Sequence, residues 1–201
     1  MIVTLDGRRV EDPVAAGATL GGVIATVRRC CAENRLLVSI VLNGRELFDD
    51  DLETEIAAAL DDADQVDFES AERDGVIRAA LAATAEKVRH AGYEAVEIAE
   101  QLNAAATPDA LRRIGTLVET WQACRRALSE AGGLIGEDLT QRTFDGRSVE
   151  AHLNELAGRL GELRDALTQR DFVLIADLLH YELPPLCEHW HKLLQTLAPA
   201  R

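Results

Sequence analysis

The chain is poor in aromatic residues and in regularly spaced cysteines. Its 201 residues include two Trp, two Tyr and four Phe, together 4%, and four cysteines. Cys30 and Cys31 are neighbours, whereas Cys124 and Cys187 are isolated, so no CxxC pair indicates a zinc site and no regular spacing indicates a disulfide framework. We therefore expect four reduced cysteines that act as small buried hydrophobic residues.

Long apolar runs are also missing. No stretch approaches the roughly 20 apolar residues that a membrane span needs, and the first residues lack the basic and apolar regions of a signal peptide. We expect a cytoplasmic protein with no membrane contact. The apolar fraction of 47% is enough for a packed core, which excludes global disorder.

Sequence patterns for phosphate-binding loops and serine hydrolases are absent. A Walker loop needs Gly-Lys followed by Ser or Thr, but Lys87 follows Glu86 and Lys192 follows His191, and the chain has no other lysine. No serine lies in a GxSxG motif. We expect no cofactor and no catalytic residues, although a site built from dispersed acids and histidines stays an alternative that one sequence cannot reveal.

Acidic residues outnumber basic ones by 35 to 21, which gives a formal charge of −14. Residues 1–70 alone hold 15 acids against 6 arginines. This sign excludes binding to a nucleic acid backbone, because neutralising phosphates requires Lys and Arg. The acidic run is either a solvated face or a surface for a basic protein partner, and a calcium loop is disfavoured by the absent Gly and Glu of an EF-hand. The residues predicted to bind such a partner are Asp49, Asp50 and Asp51.

Strand and helix signals alternate in residues 1–70. Ile2, Val3 and Leu5 indicate a strand, and the Asp6-Gly7 and Asn43-Gly44 pairs indicate hairpin turns. The predicted elements, in order, are strands at residues 2–5 and 8–14, a helix from Thr19 to Asn34, strands at residues 36–42 and 45–48, an acidic connection, and a strand at residues 65–69.

This order resembles the β-grasp fold of ubiquitin-like proteins. The segment Val38-Ser39-Ile40-Val41-Leu42-Asn43-Gly44-Arg45-Glu46-Leu47 is similar to that family's third strand, glycine turn and fourth strand. The chain continues after Ser70, so it lacks the free Gly-Gly tail of the conjugated members. The resemblance therefore implies a protein-interaction module over residues 1–70 and gives no support to carrier chemistry.

From residue 71 the apolar period becomes helical. Thr107 and Pro108 predict a helix start, Gly132-Gly133 a helix end, and Ser148 the next start. We predict an antiparallel four-helix bundle over residues 71–201, with a loop at residues 132–147 and a last helix from Asp171 to Leu197. The first helix is rich in alanine, which favours close approach of another helix and a homodimer. The alanines are Ala79, Ala80, Ala82, Ala83 and Ala85.

Pro184 and Pro185 interrupt the apolar stripe of that last helix. Each lacks an amide hydrogen, so the helix must bend or end there. We predict that this junction presents Tyr181, Glu182, Pro184 and Pro185 to a protein partner, with a purely structural bend as the alternative.

The last helix also gathers possible metal ligands. His180, Cys187 and His191 share one helical face, and Glu188 precedes His191 by three residues, as in Glu-x-x-His pairs. However, 11 residues separate the two histidines, about 16 Å along a helix, which is too far for one ion. We predict no metal.

We therefore predict an α+β protein that acts without catalysis as a protein-binding adaptor. The alternatives are a chaperone or secretion-type accessory protein that holds a partner helix in an apolar groove, and an enzyme. A long apolar groove would favour the chaperone, and a concave pocket with several perturbed acids or histidines would favour the enzyme.

Overall fold

The structure, a computed structural model, describes residues 1–11, 17–104 and 107–199. The chain divides into two compact units, residues 1–76 and residues 77–201. The first unit holds a mixed sheet and the second is built mostly from helices, so the predicted α+β class is confirmed. Among the described residues, no helix combines the length and the apolar character needed to cross a membrane.

Five strands form the sheet of the first unit, in the order β2-β1-β5-β3-β4. The strands are Ile2–Leu5 (β1), Arg8–Arg9 (β2), Arg35–Leu42 (β3), Arg45–Glu46 (β4) and Gln65–Glu72 (β5). β1 and β5 are parallel, and the other pairs are antiparallel. The predicted mixed sheet is therefore confirmed.

Two tight turns join β1 to β2 and β3 to β4. Their central residues are Asp6 and Gly7, with φ of 51° and 75°, and Asn43 and Gly44, with φ of 52° and 82°. Both positions of each turn are left-handed, which is the geometry that two-residue hairpins require. Asn and Asp tolerate it and Gly adopts it without strain, so the sequence determines these turns locally.

One helix packs its apolar stripe against the sheet. α1 (Leu20–Cys30) begins at Thr19, whose hydroxyl accepts a hydrogen bond from the Gly22 amide at 3.2 Å. Its buried face is joined in one core by side chains of the sheet, including Val66 and Phe68 of β5. The buried residues of α1 are Leu20, Val23, Ile24 and Val27.

The first unit departs from the prediction in several places. α1 ends at Cys30 rather than Asn34, β4 ends at Glu46 rather than Phe48, and β2 has two residues, while residues 12–14 of its predicted range lie outside the described residues. The acidic connection holds a second helix, α2 (Asp49–Glu55). Its start is fixed by Asp51, whose carboxylate accepts a hydrogen bond from the Phe48 amide at 3.3 Å.

Four helical segments build the second unit. They are α3 (Arg73–Ala104), which begins before the boundary between the units, α4 (Pro108–Ile135), α5 (Val149–Gln169), and a segment made of α6 (Phe172–Asp177), a π-helical turn (Leu178–Glu182) and α7 (Leu183–Leu197). Thr107 and Ser148 cap α4 and α5 as predicted, each accepting a hydrogen bond at 3.2 Å from a first-turn amide. All four segments contribute to one buried apolar cluster.

The predicted stop at Gly132-Gly133 is wrong. α4 continues through both glycines and ends before Gly136, whose φ of 77° closes the helix. The predicted loop at residues 132–147 therefore begins later and has structure of its own. It contains a 3₁₀ turn (Leu139–Gln141) and a hairpin of β6 (Thr143–Phe144) and β7 (Arg147–Ser148).

The two prolines neither end the last helix nor separate two helices with a loop. The π-helical turn just before them carries a wider hydrogen bond, from the Leu183 amide to the Leu178 carbonyl, and α7 then begins with the prolines in its first turn. A first turn tolerates proline because its amides have no partner within the helix. The chain thus absorbs Pro184 and Pro185 by widening one turn.

Candidate functional site

An open groove of about 480 Å³ lies in the first unit, between α1 and β3, and we call it the α1–β3 groove. α2 forms part of its wall through Leu52, and Ile56 follows directly after that helix. Nine of its thirteen lining residues are apolar. The lining residues are Gly21, Ile24, Ala25, Arg28, Leu37, Val38, Ser39, Ile40, Glu46, Leu47, Phe48, Leu52 and Ile56.

A close backbone approach holds the α2 segment against the start of α1. The Gly21 amide donates to the Ile56 carbonyl at 2.9 Å, and the Leu20 amide donates to the Ala58 carbonyl at 3.0 Å. A Cβ atom on Gly21 would lie 3.0 Å from the Ile56 Cγ1 atom. Glycine at position 21 therefore permits the contact that sets this wall of the groove.

Three large apolar side chains of the lining are exposed. The exposed fractions are 49% for Val38, 65% for Phe48 and 47% for Ile56. They stand beside Leu47 and Ile40, which are buried in the core of the first unit. A group of exposed apolar side chains of this kind often marks a site that another molecule covers.

The edge of β3 is open along this groove. β4 pairs with β3 only at Val41 and Leu42, and the Leu47 amide adds one hydrogen bond to the Ile40 carbonyl. In the described parts of the chain, no strand pairs with residues 35–39 on the side away from β5. A register shift between Leu37 and Ser39 in the pairing with β5 leaves Val38 as an inserted bulge residue of β3.

The three predicted acidic residues have different roles. Asp51 is engaged in the protein itself, since it caps α2 and pairs with Arg45. Asp50 is exposed to solvent. Asp49 begins α2, and its side chain lies outside the described residues. Exposed Glu53 and Glu46 extend the acidic surface to the groove itself.

A smaller depression of about 250 Å³ lies in the second unit, and we call it the polar pocket. Arg147 Nη1 pairs with Glu155 at 2.7 Å, and Arg159 Nη2 pairs with Glu182 at 3.2 Å. The hydrogen bond from Arg147 lowers the pKa of the Glu155 carboxyl. The lining residues are Arg147, Glu155, Arg159, Glu182, Pro185, Leu186 and His189.

His189 of the polar pocket contacts a second histidine, His152. His189 Nε2 lies 3.2 Å from His152 Nδ1, and His152 Nε2 lies 3.0 Å from the Phe144 carbonyl oxygen. The Phe144 ring packs edge-on against both imidazoles. Burial and the neighbouring His152 lower the pKa of His189, while Asp145 and Glu155 act in the opposite direction.

The structure separates the four predicted junction residues. Glu182 and Pro185 line the polar pocket. Tyr181 is 66% exposed and contacts the ring of His180, and it is not part of that lining. Pro184 faces α3, where its Cα atom lies 3.6 Å from the position of a Cβ atom on Gly92. The junction therefore does not form one continuous surface.

The possible metal ligands of the last helix also point to different neighbours. His191 Nδ1 lies 3.2 Å from the Ala85 carbonyl oxygen of α3, and Glu188 pairs with Lys192. Cys187 is buried, and burial raises the pKa of its thiol to about 12. Among the described residues, no group of three or more histidine, cysteine or acidic side chains is placed to hold a metal ion.

The sequence prediction missed two features of these sites. His152 lies three residues after buried Val149 and four before buried Leu156, and this helical spacing was the signal that it is buried. Its pairing with His189, 37 residues away, has no local signal. Of the five α3 alanines predicted to favour the approach of another helix, Ala85 is buried, whereas Ala79, Ala80, Ala82 and Ala83 are exposed.

Part of the second unit matches the model of a sequence family. A family described as a domain of unknown function, DUF8042, matches residues 91–193, just over half of the chain. The chain therefore belongs to this family. No curated protein and no solved structure matches the chain.

Proposed function

We propose that this member of the DUF8042 family is a non-enzymatic adaptor that binds an extended segment of a partner protein in the α1–β3 groove. One observation carries the proposal: the open edge of β3 runs beside the exposed apolar wall of Val38, Phe48 and Ile56.

The architecture that we propose is a β-grasp module followed by a four-helix bundle. The module is supported by the strand order β2-β1-β5-β3-β4 with parallel β1 and β5, and by α1, which shares a core with the sheet. The bundle is supported by the single apolar cluster that α3, α4, α5 and the last segment share.

Strand addition is the binding mode that fits the groove. An edge strand offers unpaired amides and carbonyls, and a partner in extended conformation satisfies them as an additional strand would. Alternate side chains of that partner face one side. They would therefore contact Phe48 and Ile56 and remove apolar surface from water.

Charge selects among extended partners. The exposed acids Glu46, Asp50 and Glu53 lie at the groove or on α2, whereas Arg28 is the one basic residue of the lining. The occupant we infer has apolar residues at alternate positions, flanked by Lys or Arg, because such flanks pair with these carboxylates.

The polar pocket is the second candidate, for an enzyme, because it combines His189 with two carboxylates and two guanidinium groups. Two observations weigh against catalysis there. Its lining offers no hydroxyl or thiol nucleophile, and the carboxylates of Glu155 and Glu182 are held by arginines. Its arginines are also already paired with Glu155 and Glu182.

A displayed library of random 12-residue peptides, selected on the full chain, tests the proposal. We expect the enriched peptides to share alternating apolar residues with flanking Lys or Arg. Phe48→Ala should weaken their binding by about tenfold or more, the range of a central contact residue. Selection of acidic or amphipathic helical peptides, or no selection at all, would contradict the proposal.

Matched variants separate the groove from other exposed surfaces. Val173→Ala removes a comparably exposed apolar side chain of the second unit and should leave affinity unchanged. The pair Asp50→Asn and Glu53→Gln should weaken binding and reduce its salt dependence. The pair Glu100→Gln and Glu130→Gln, two exposed acids of the second unit, should do neither.

A further inference from the structure

The β6–β7 hairpin is attached to two helices through a pair of histidines. Among the described residues, His152 of α5 is the one polar side chain that is buried, at 3% exposure. It bridges the Phe144 carbonyl of β6 and the imidazole of His189 on α7. The two imidazole centroids are 4.7 Å apart, and Phe144 covers both rings.

The hydrogen-bond partners fix where the protons reside. A carbonyl oxygen only accepts, so His152 Nε2 carries a hydrogen and donates it to Phe144. In the neutral ring, His152 Nδ1 is then an acceptor, and His189 Nε2 must donate to it. Neutral His152 therefore satisfies the hairpin and α7 at the same time.

Charged groups face the pair from the hairpin and from α5. Asp145 and Arg147 belong to the turn and second strand of the hairpin, and Glu155 lies on α5. Arg159 and Glu182 line the same pocket but are paired with each other. Arg147 and Glu155 also form an ion pair, so Asp145 is the carboxylate of this group without an ion pair among the described residues.

We propose that the His152–His189 pair is a pH-sensitive latch, which holds the β6–β7 hairpin on α5 and α7 at neutral pH and releases it on acidification. When both imidazoles are protonated, all of their ring nitrogens carry hydrogens, so His189 Nε2 and His152 Nδ1 present N–H groups to each other. Two positive rings at this separation repel, and one of them is buried where a charge is poorly solvated.

The pH window follows from the direction of the shift. The folded pKa of His189 is lowered, mainly by burial, below the ordinary value of about 6.5. The unfolded or opened segment therefore takes up a proton before the closed one does. The stability that the latch supplies is complete above pH of about 6.5 and is lost as pH falls through the folded pKa.

Two measurements on the full chain test the latch. An NMR titration of the imidazole carbons should show that His189 titrates below pH 6.5, in the closed state, as the direction of its shift requires. Amide hydrogen exchange, corrected for the intrinsic effect of pH, should show that protection of residues 143–149 falls severalfold between pH 7.5 and 5.5, because the opened segment takes up a proton before the closed one does. Protection of β5 should stay constant.

Two variants isolate the pair. His189→Gln keeps a side-chain N–H donor for His152 but does not titrate, so it should abolish most of the pH response. His90→Gln, on an exposed part of α3, should leave the response unchanged. The latch would be refuted by titration of His189 at or above pH 6.5, by hairpin protection that does not fall, or by a full response in His189→Gln. The NMR titration uses the unmodified chain and decides the question if that variant folds poorly.

Discussion

The α1–β3 groove leaves apolar side chains and backbone groups uncovered, whereas the charged groups of the polar pocket are already paired. In the groove, Val38, Phe48 and Ile56 are exposed, and residues 35–39 of β3 have no described partner strand on the side away from β5. In the polar pocket, the guanidinium groups of Arg147 and Arg159 are already bound to carboxylates. A ligand gains free energy by satisfying open groups and must first displace paired ones, so the comparison favours the groove as the site of binding.

The aromatic residues show the same contrast. Trp121 and Trp190 are buried, with their rings 5.9 Å apart at 76°, whereas Phe48 is exposed at the groove. A buried aromatic ring contributes to stability through packing, and an exposed one contributes mostly when a partner covers it. Stability and binding should therefore respond to different aromatic residues.

The largest expected effect comes from the buried ring. Trp190→Ala should lower the free energy of unfolding by about 3 to 5 kcal/mol, because it leaves a large cavity in the core of the second unit. Phe48→Ala should change it by less than about 0.5 kcal/mol. Urea unfolding followed by circular dichroism measures both. A large loss of stability in Phe48→Ala would show that this side chain packs into the fold and would break the comparison.

Two neighbouring glycines test how tightly the second unit is packed. A Cβ atom on Gly132 would lie 2.7 Å from the Glu137 carbonyl oxygen, whereas one on Gly133 would meet no atom within 4 Å. We expect Gly132→Ala to destabilise the protein by about 1 to 3 kcal/mol through overpacking. Gly133→Ala should stabilise it by about 0.5 to 1 kcal/mol through helix propensity. Equal effects in urea unfolding would contradict the contact.

The first unit should lose stability at a lower pH than the pH at which the His152–His189 latch opens. The Ser70 amide and hydroxyl donate to the Asp6 carboxylate at 2.8 and 2.7 Å and lower its pKa. Stability from Asp6 is therefore present above its unfolded pKa of about 3.9 and is lost as pH falls through the folded value. Asp6→Asn keeps a residue suited to the left-handed turn and should flatten this loss.

Hydrogen exchange of β5 between pH 5 and pH 2.5 measures that effect. In the wild-type chain, protection of the Ser70 amide should fall over this range. In Asp6→Asn, protection of that amide should already be lower at pH 5 and should fall less. The same steep loss in both proteins would show that Asp6 does not supply the acid response.

The smallest effect is expected at the proline junction. Replacing Pro184 and Pro185 with Ala puts a better helix former at two first-turn positions, so we expect a stabilisation of less than about 1 kcal/mol. Peptide binding in the groove should be unchanged. A loss of affinity measured with the selected peptides would instead place the partner at the junction, as the sequence suggested.

Local signals account for what the sequence could predict. Asn43-Gly44 determines a hairpin because both residues accept positive φ, and Thr107-Pro108 determines a helix start because the threonine caps it. α2 was missed because its charges resemble a solvated connection. The apolar spacing of Leu52 and Ile56, four residues apart, was the available helical signal.

Tertiary contacts account for the rest. The π-helical turn depends on how the last helix packs around Pro184, and the contact between His152 and His189 joins residues that are 37 positions apart. The groove likewise depends on the approach of Gly21 to Ile56. Propensity and periodicity describe neighbours in the sequence, so they contain no information about these three arrangements.

NMR of the isotopically labelled full chain with a selected peptide tests the groove most directly. The account predicts cross-strand contacts between peptide protons and the outward amides of residues 35–39, and slower exchange of those amides in the complex. Peptide contacts that map to Arg147, Glu155 and His189 of the polar pocket, or that leave the β3 edge unchanged, would contradict it.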